Sequence, residues 1–553
     1  MSVSKEALKA LEDIVGPRNF STDPAVLATY QFPLDVTSIH LGPFYHTLTP
    51  RGAAVVLPGG TEEVQAIVKT CNKYKIKYKA SSTFWGAMGF PCYEDVIQID
   101  PRRMDKVLEI DKKNMFAVVE PYVNGANLQA EAMKVGLNTH IIGAGASCSP
   151  LASATSFTGA GPDTLFMDSG NGNMLGVEWV MPNGDLLKTG TLGAGLGWYC
   201  GEGPGPGVRS IIRGGMACRG AMGVFTKCAL KLYPWPGPTE LPVVGTVPAY
   251  KAALPSNFRI YTLAFPSWPA WADTAHKIWN AGIGYIAHRQ FNMFGRDLKF
   301  AMVKILTDPS KTLSDLEELS ANPEYQKING EMKRDFQFVM AGMTQRDIEW
   351  QEKVLDQILA ETGGHKVDAM NDPDIANWAL LYMIRLGHKN LNLVNAGGYE
   401  GCFGLVGPPD YGTSNVELAG DFKRAWEEKG AIARTGGDCT MGGLGGMGGG
   451  AYVMWENFTT WDPHEKASVD GAYEFFEACD KFAREHHWAT GMERSNALVR
   501  GSDGKAFPKE KREEAFSHAP IALALQYQQK IRETFNPNDL GDPHYLTLSP
   551  KAR

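Results

Sequence analysis

The chain has 553 residues, 44% of them hydrophobic and 21% charged, with a formal net charge of −7. That length exceeds one compact core and predicts two domains. The charge balance offers no basic footprint for nucleic acid, and no apolar run approaches the ~20 residues needed to span a bilayer.

The first residues, Met1-Ser-Val-Ser-Lys-Glu6, carry charge where a secretory leader would be apolar, so a cytoplasmic protein is expected. The nine cysteines are widely spaced and none forms Cys-x-x-Cys. A cluster or structural zinc usually draws two thiolates from one loop, so reduced, inert thiols are expected instead. No His-Glu-x-x-His or His-x-His occurs, and no metal site is expected, although His486 and His487 are adjacent.

In chain order, Ala54–Leu57 reads as a strand stopped by Pro58-Gly59-Gly60. Thr61 is then placed to cap a helix carrying Val64, Ile67, Val68 and Cys71 on one face, with Glu62 and Glu63 in its first turn. Strands follow at Val96–Ile99, Phe116–Val119 and Gly176–Met181. Asn183-Gly184 predicts a two-residue hairpin returning through Leu186–Lys188, and Val224–Leu232 is a further strand. Beyond about residue 240 the texture changes to longer charged helices, among them Thr312–Leu319 and Ile348–Thr362, with strand-like runs between. Gly436–Gly450 holds nine glycines in fifteen residues: either a flexible lid or backbone that must approach a ligand closely. The last helix, Ile521–Phe535, runs into Asn536-Pro-Asn-Asp.

Two loops of small residues follow strands in the first half. One holds Ser81, Ser82, Thr83, Gly86 and Gly89; the other holds Gly143, Gly145, Ser147, Ser149, Ser153, Thr155, Thr158, Gly159 and Gly161. Backbone N–H groups in such loops bind a pyrophosphate without a lysine. Either loop alone reads equally as a surface turn, and Gly143-Ala-Gly145 lacks the third glycine of a dinucleotide fingerprint.

In order, these segments resemble the vanillyl-alcohol oxidase and p-cresol methylhydroxylase flavoprotein family. The resemblance is carried by Pro58-x-x-x-Glu62-Glu-Val-Gln-x-Ile-Val, Ser82-Thr83, Val96-Ile-Gln-Ile-Asp-Pro-Arg-Arg, Asp168-x-x-x-x-Asn173-x-x-Gly176-x-Glu178-x-Val180-x-Pro182-Asn-Gly184 and Gly223-Val224-Phe-Thr-Lys227. It continues through Ala451–Glu456, Tyr473–Arg484 and the last helix. It implies an α+β fold with an FAD-binding domain over 1–238, a cap or substrate domain over 239–510 and a segment, 511–553, returning to the first domain. It further implies FAD as cofactor, a small organic substrate, an acceptor that takes up the electrons, either oxygen or a partner protein, and a homo-oligomer.

Three departures separate the chain from that pattern. Gly448-Gly-Gly-Ala-Tyr452 stands where relatives tether FAD through a histidine, so the FAD is expected to be non-covalent. His486-His-Trp-Ala-Thr-Gly-Met-Glu-Arg494 stands where phenol-oxidising members carry Tyr-Arg, and Met88-Gly-Phe90 replaces a tyrosine whose nearest substitute is Tyr93.

By the resemblance, Asp168 lies near the reactive nitrogen of the flavin, where a carboxylate assists hydride transfer; a turn residue ahead of Gly170 is the plainer reading. His487 as base and Arg494 as anion anchor compete with a helix C-terminus that favours cations. Tyr93 as a catalytic phenol competes with simple packing. The expected function is FAD-dependent removal of a hydride from an aromatic alcohol or alkylphenol-like substrate. The alternatives are a 2-hydroxy-acid dehydrogenase of the glycolate or D-lactate type, and a non-catalytic electron-transfer subunit.

Overall fold

The computed structural model describes residues 3–31, 50–84, 89–91, 93–156, 160–204, 222–246, 249–289, 294–295, 297–385, 398–433, 441–447, 450–462, 464–486, 488–490 and 530–541. The three main sheets divide them by sequence. Strands between residues 20 and 231 build a four-stranded and a five-stranded sheet, whereas strands between residues 258 and 490 build one of eight strands.

The four-stranded sheet runs Phe20–Ser21, Ala54–Val56, Ile97–Ile99, Tyr78–Ala80, the last three parallel. Parallel neighbours need a crossover, and the helix Thr61–Tyr74 supplies the one between Ala54–Val56 and Tyr78–Ala80. Its predicted apolar face, Val64, Ile67, Val68 and Cys71, is fully buried against the sheet. Burial pushes the thiols of Cys71 and Cys148 up to about 12, as inert thiols require.

The expected cap of this helix is corrected. Gly60 is the N-cap, and no side chain caps the helix. The Thr61 hydroxyl instead donates to Glu178 Oε1 at 2.6 Å, joining Lys227 Nζ at 2.7 Å and Thr226 Oγ1 at 3.1 Å on that one buried carboxylate oxygen. Burial alone would raise the Glu178 pKa, but these donors outweigh it and hold the carboxyl below its ordinary range. This cluster ties the first sheet's helix to the second sheet.

The five-stranded sheet is antiparallel, in the order Val107–Asp111, Phe116–Val119, Val224–Lys231, Met174–Val180, Leu186–Lys188. A hairpin closes its last pair, but its loop is corrected from two residues to three, Pro182-Asn183-Gly184: Met181 N donates to Asp185 O and Gly184 N to Met181 O, each at 2.8 Å, and of the three only Gly184 takes a positive φ, +87. Residues 530–541 pack against both sheets of this half: Phe535 stacks on Trp179 at 5.7 Å, and Tyr78 N donates to Leu540 O at 2.9 Å.

The eight-stranded sheet is antiparallel throughout. Its order is His365–Lys366, Phe258–Ala264, Asp335–Ala341, Ile286–His288, Met441–Met447, Gly450–Trp461, Gly398–Gly407, Ala489–Thr490. Side chains alternate across such a sheet. Phe336, Phe338, Met340, Val453 and Trp455 face one way, into a core shared with the helices Trp268–Ala281, Gln345–Thr362, Pro409–Glu428 and Lys466–Glu485. The opposite face, with His288, Tyr452 and Met454, turns to the first half of the chain. The four helices cover one face of this sheet, Pro373–Arg385 packs on part of the other against Ile286 and Val339, and the join to the two-sheet unit makes the α+β fold in two parts.

Candidate functional site

Ser81–Thr83 follow the strand Tyr78–Ala80, and Ser81 N donates to Ile99 O at 3.1 Å. Ser149 N donates to Thr83 Oγ1 at 3.0 Å, so the two small-residue loops, 66 positions apart, meet directly. Ser149 also caps the helix Pro150–Thr155 by accepting from Ala152 N, and its hydroxyl donates to Pro121 O at 2.7 Å. One serine thereby fixes the helix, its own loop and the first loop together.

A narrow cleft lies against the second loop, walled by Gly125, His140, Gly145, Ser153, Gly170 and Asn173 among others. Gly145 takes φ +101, a conformation that glycine adopts freely. Ser153 is 5% exposed, and its hydroxyl has no hydrogen-bond partner among the described residues. A buried hydroxyl left unpaired costs about 1–3 kcal/mol, so this wall suits a polar ligand atom. Glycine backbone, a buried orphan hydroxyl and the adjoining Thr83–Ser149 contact fit a flavin dinucleotide.

A second narrow cleft opens between the halves. The first half contributes Gly143, Ala160, Gly161, Pro162 and Thr164; the eight-stranded sheet contributes His288, Tyr452 and Met454. Register explains the trio. His288 pairs with Gly443, which pairs with Met454, and Tyr452 follows two residues along on the same face. Burial, with Glu456 nearby, pushes the Tyr452 phenol above its usual range and keeps it a protonated donor. His288 is 3% exposed. Arg289, the next residue, points to the other side and lies over Trp268 at 5.0 Å and Trp455 at 5.7 Å.

Between the clefts stands the short turn Pro162–Leu165. Asp163 accepts from His140 Nδ1 and from Ile141 N, each at 2.6 Å, with both side chains buried. On the cap side, a Cβ on Gly445 would overlap the Thr164 hydroxyl, and one on Gly284, at φ +94, would overlap Phe338 and reach within 2.7 Å of Leu165. The glycine-rich stretch, read as lid or close approach, is over 441–447 a strand whose Gly445 lies against Thr164 of this turn.

The remaining site residues fall in several places. Asp168 accepts from Ser169 N at 2.9 Å and lies 3.5 Å from Lys231 Nζ, with a side chain 42% exposed. Asn173 donates to Asp168 O at 2.7 Å and accepts from Tyr233 OH at 2.6 Å while walling the first cleft. Gly223, at φ +83, packs over Val180 O, and Val224 is buried between the two sheets of the first half; neither lines a described cleft. The segment after Gly89 runs back beside Tyr78–Ala80 and leaves the Tyr93 ring 4.9 Å from Lys77 Nζ, at the sheet end opposite Ser81. Gly86, Gly159, His487 and Arg494 lie outside the described residues. Sequence reading passed over His140, Asp163 and His288. Isolated residues in apolar surroundings carry no spacing signal.

Among the described residues no group of His, Cys, Asp and Glu is arranged to hold a metal ion, and no helix is long and apolar enough to cross a membrane. Residues 52–190 match the FAD binding domain family. Over 236 residues, 42% of this chain, the sequence is 23% identical to a glycolate oxidase subunit of Bacillus subtilis, and the match covers 46% of that protein, less than half its length. The fold is similar along its whole length to 4-ethylphenol oxidase from Gulosibacter chungangensis, with a TM-score of 0.69, 17% identity and coverage of 100% of this chain and 99% of that one. It is equally similar to p-cresol methylhydroxylase, with a TM-score of 0.69, 14% identity and coverage of 99% and 98%. The chain is thus built around an FAD binding domain at residues 52–190, within the two-part fold of the p-cresol methylhydroxylase and 4-ethylphenol oxidase flavoproteins.

Proposed function

We propose that the protein is an FAD-dependent oxidoreductase. It removes a hydride from a C–H bond of a small aromatic alcohol or alkylphenol-like substrate and passes the electrons to an acceptor. The observation that carries this reading is the cleft between the second loop and the eight-stranded sheet, where Tyr452 and His288 offer hydrogen bonds beside Pro162 and Met454. The described wall is built of aromatic, imidazole and thioether side chains with proline, which suits an aromatic ring carrying a hydroxyl.

In this proposal Ser81–Thr83, Gly145, Ser149 and Ser153 hold the cofactor, which supplies the redox chemistry when bound. The chain's own residues orient the substrate and exclude water. Asp168 stabilises charge as the hydride leaves, with support from its position at the start of the Gly170–Asn173 turn beside the first cleft. His487 and Arg494 keep their proposed parts in substrate orientation. The flavin is held without a covalent bond to histidine.

Purified protein would be tested by its absorption spectrum and by anaerobic bleaching with aromatic alcohols, 4-alkylphenols and 2-hydroxy acids. Bleaching by the first two classes is expected. Bleaching by hydroxy acids alone would overturn the aromatic reading in favour of a glycolate- or lactate-type dehydrogenase, and no bleaching by any class would favour an electron-transfer subunit. Acid precipitation should leave the flavin in the supernatant; a yellow pellet yielding a flavin–histidine peptide would exclude the non-covalent reading. Asp168→Ala should slow anaerobic reduction more than about tenfold with FAD still bound, and an unchanged rate would assign Asp168 to the turn alone.

A further inference from the structure

Phe84, which directly follows Ser81–Thr83, takes φ +56. Among the described residues other than glycine with a positive φ, it is the one aromatic. A turn that needs only that conformation is served without strain by glycine or asparagine. A bulky side chain held there is an outlier, of the kind that gathers at ligand clamps.

The Phe84 ring is what holds it. Tyr30 meets that ring edge-on at 5.4 Å, and Phe90 does so at 5.6 Å. Tyr30 and Phe90 are both buried. Tyr30 is itself fixed, since its hydroxyl donates to Asp100 Oδ2 at 2.9 Å and accepts from Arg102 Nη2 at 3.0 Å. Asp100 N in turn donates to Val56 O, at the end of the parallel strands. Phe90 belongs to the core shared by the eight-stranded sheet and its helices, so Phe84 packs against apolar clusters of both halves. Beside it, Gly89 approaches Ser81 so closely that a Cβ would overlap the Ser81 hydroxyl, while Thr83 Oγ1 accepts from Ser149 N.

We propose that Phe84 is a positioning residue of the cofactor site: its ring, clasped by Tyr30 and Phe90, keeps the backbone after Ser81–Thr83 in the left-handed conformation in which the loop receives FAD. The inference rests on the first loop holding the pyrophosphate of FAD. An L-residue without such support is about five- to thirtyfold less populated in that region than in the right-handed one. Without the ring, the loop relaxes in flavin-free protein, and binding must draw it back. Preorganisation by the clasp removes that cost. Because Phe90 sits in the cap core, seating of the cap and seating of FAD favour each other equally.

The test is the affinity of flavin-free full-length protein for FAD, read by quenching of flavin fluorescence. Phe84→Ala should bind FAD about ten- to hundredfold more weakly than wild type, since it loses the ring contacts and keeps the strain. Phe84→Gly should bind about three- to tenfold more tightly than Phe84→Ala, because glycine takes a positive φ freely. A role in packing alone predicts the opposite order, glycine giving the looser chain. Phe90→Leu should weaken binding about two- to tenfold on its own and change nothing further in Phe84→Gly, where the ring it supports is gone. Glycine binding no more tightly than alanine would overturn the proposal, and an additive effect of Phe90→Leu would do the same. Should the Phe84 variants not fold, an unchanged affinity in Phe90→Leu would overturn it equally. A wild type that takes up no FAD would instead remove the reading of the loop itself.

Discussion

On the first-cleft side of the turn Pro162–Leu165, Asp163 is held by two short hydrogen bonds to His140 and Ile141, whereas on the side of the eight-stranded sheet Thr164 and Leu165 are held by the absence of side chains at Gly445 and Gly284. The first kind of contact is directional and depends on charge. The second depends on shape alone. Four residues thus carry two independent ways of fixing the same backbone, and each fails to a different kind of substitution.

The shape-dependent side should break most severely. Gly284→Ala places a Cβ into Phe338 at a positive φ, so overpacking and left-handed strain together are expected to cost about 2–5 kcal/mol. Chemical denaturation measures this, and a loss below about 1 kcal/mol would show that the cap relaxes around the turn. Gly445→Val should cost about 1–3 kcal/mol by overpacking alone, with partial recovery when Thr164→Ala is added; a purely additive double variant would deny the contact.

The polar side should lose less. Asp163→Asn retains the size of the side chain but weakens a charge-assisted bond, for an expected loss of about 1–3 kcal/mol. A loss as large as that of Gly284→Ala would erase the distinction between the two sides.

The Glu178 cluster extends the comparison to pH. Its folded pKa lies below the ordinary value, so its stabilisation is present above the unfolded pKa and is lost as pH falls through the folded one. The stability gap between wild type and Glu178→Gln should therefore be constant near neutrality and shrink below about pH 4.3. A gap independent of pH would mean that the hydrogen bonds, not the charge, hold the sheets together. The smallest effect is expected at Ser153. With no partner to lose and an unpaired buried hydroxyl removed, Ser153→Ala should stabilise flavin-free protein by about 1 kcal/mol and weaken FAD binding about two- to tenfold, the worth of one hydrogen bond.

Much of this was legible in the sequence where local chemistry decides. Val64, Ile67, Val68 and Cys71 announced a helix by spacing, and Asn183-Gly184 announced a hairpin by its conformational needs. The two small-residue loops stood out by composition, and the structure adds that they meet at Thr83 and Ser149. What stayed hidden depends on distant partners. Thr61 looks like a cap until Glu178, 117 residues later, takes its hydroxyl. Met441–Met447 has little strand propensity, because its glycines bury no side chain, and Thr164 explains the one at 445. His140 and Asp163 are 23 residues apart with no pattern between, so the fold alone pairs them.

Gly445 against Thr164 also limits how freely the halves could be exchanged among proteins of this architecture. A chimera joining this FAD-binding half to a foreign cap would need a strand with no side chain at that one place. A single β-carbon there would hold the two halves apart along the seam where the second cleft lies. The pieces are modular in sequence, but the seam between them is not.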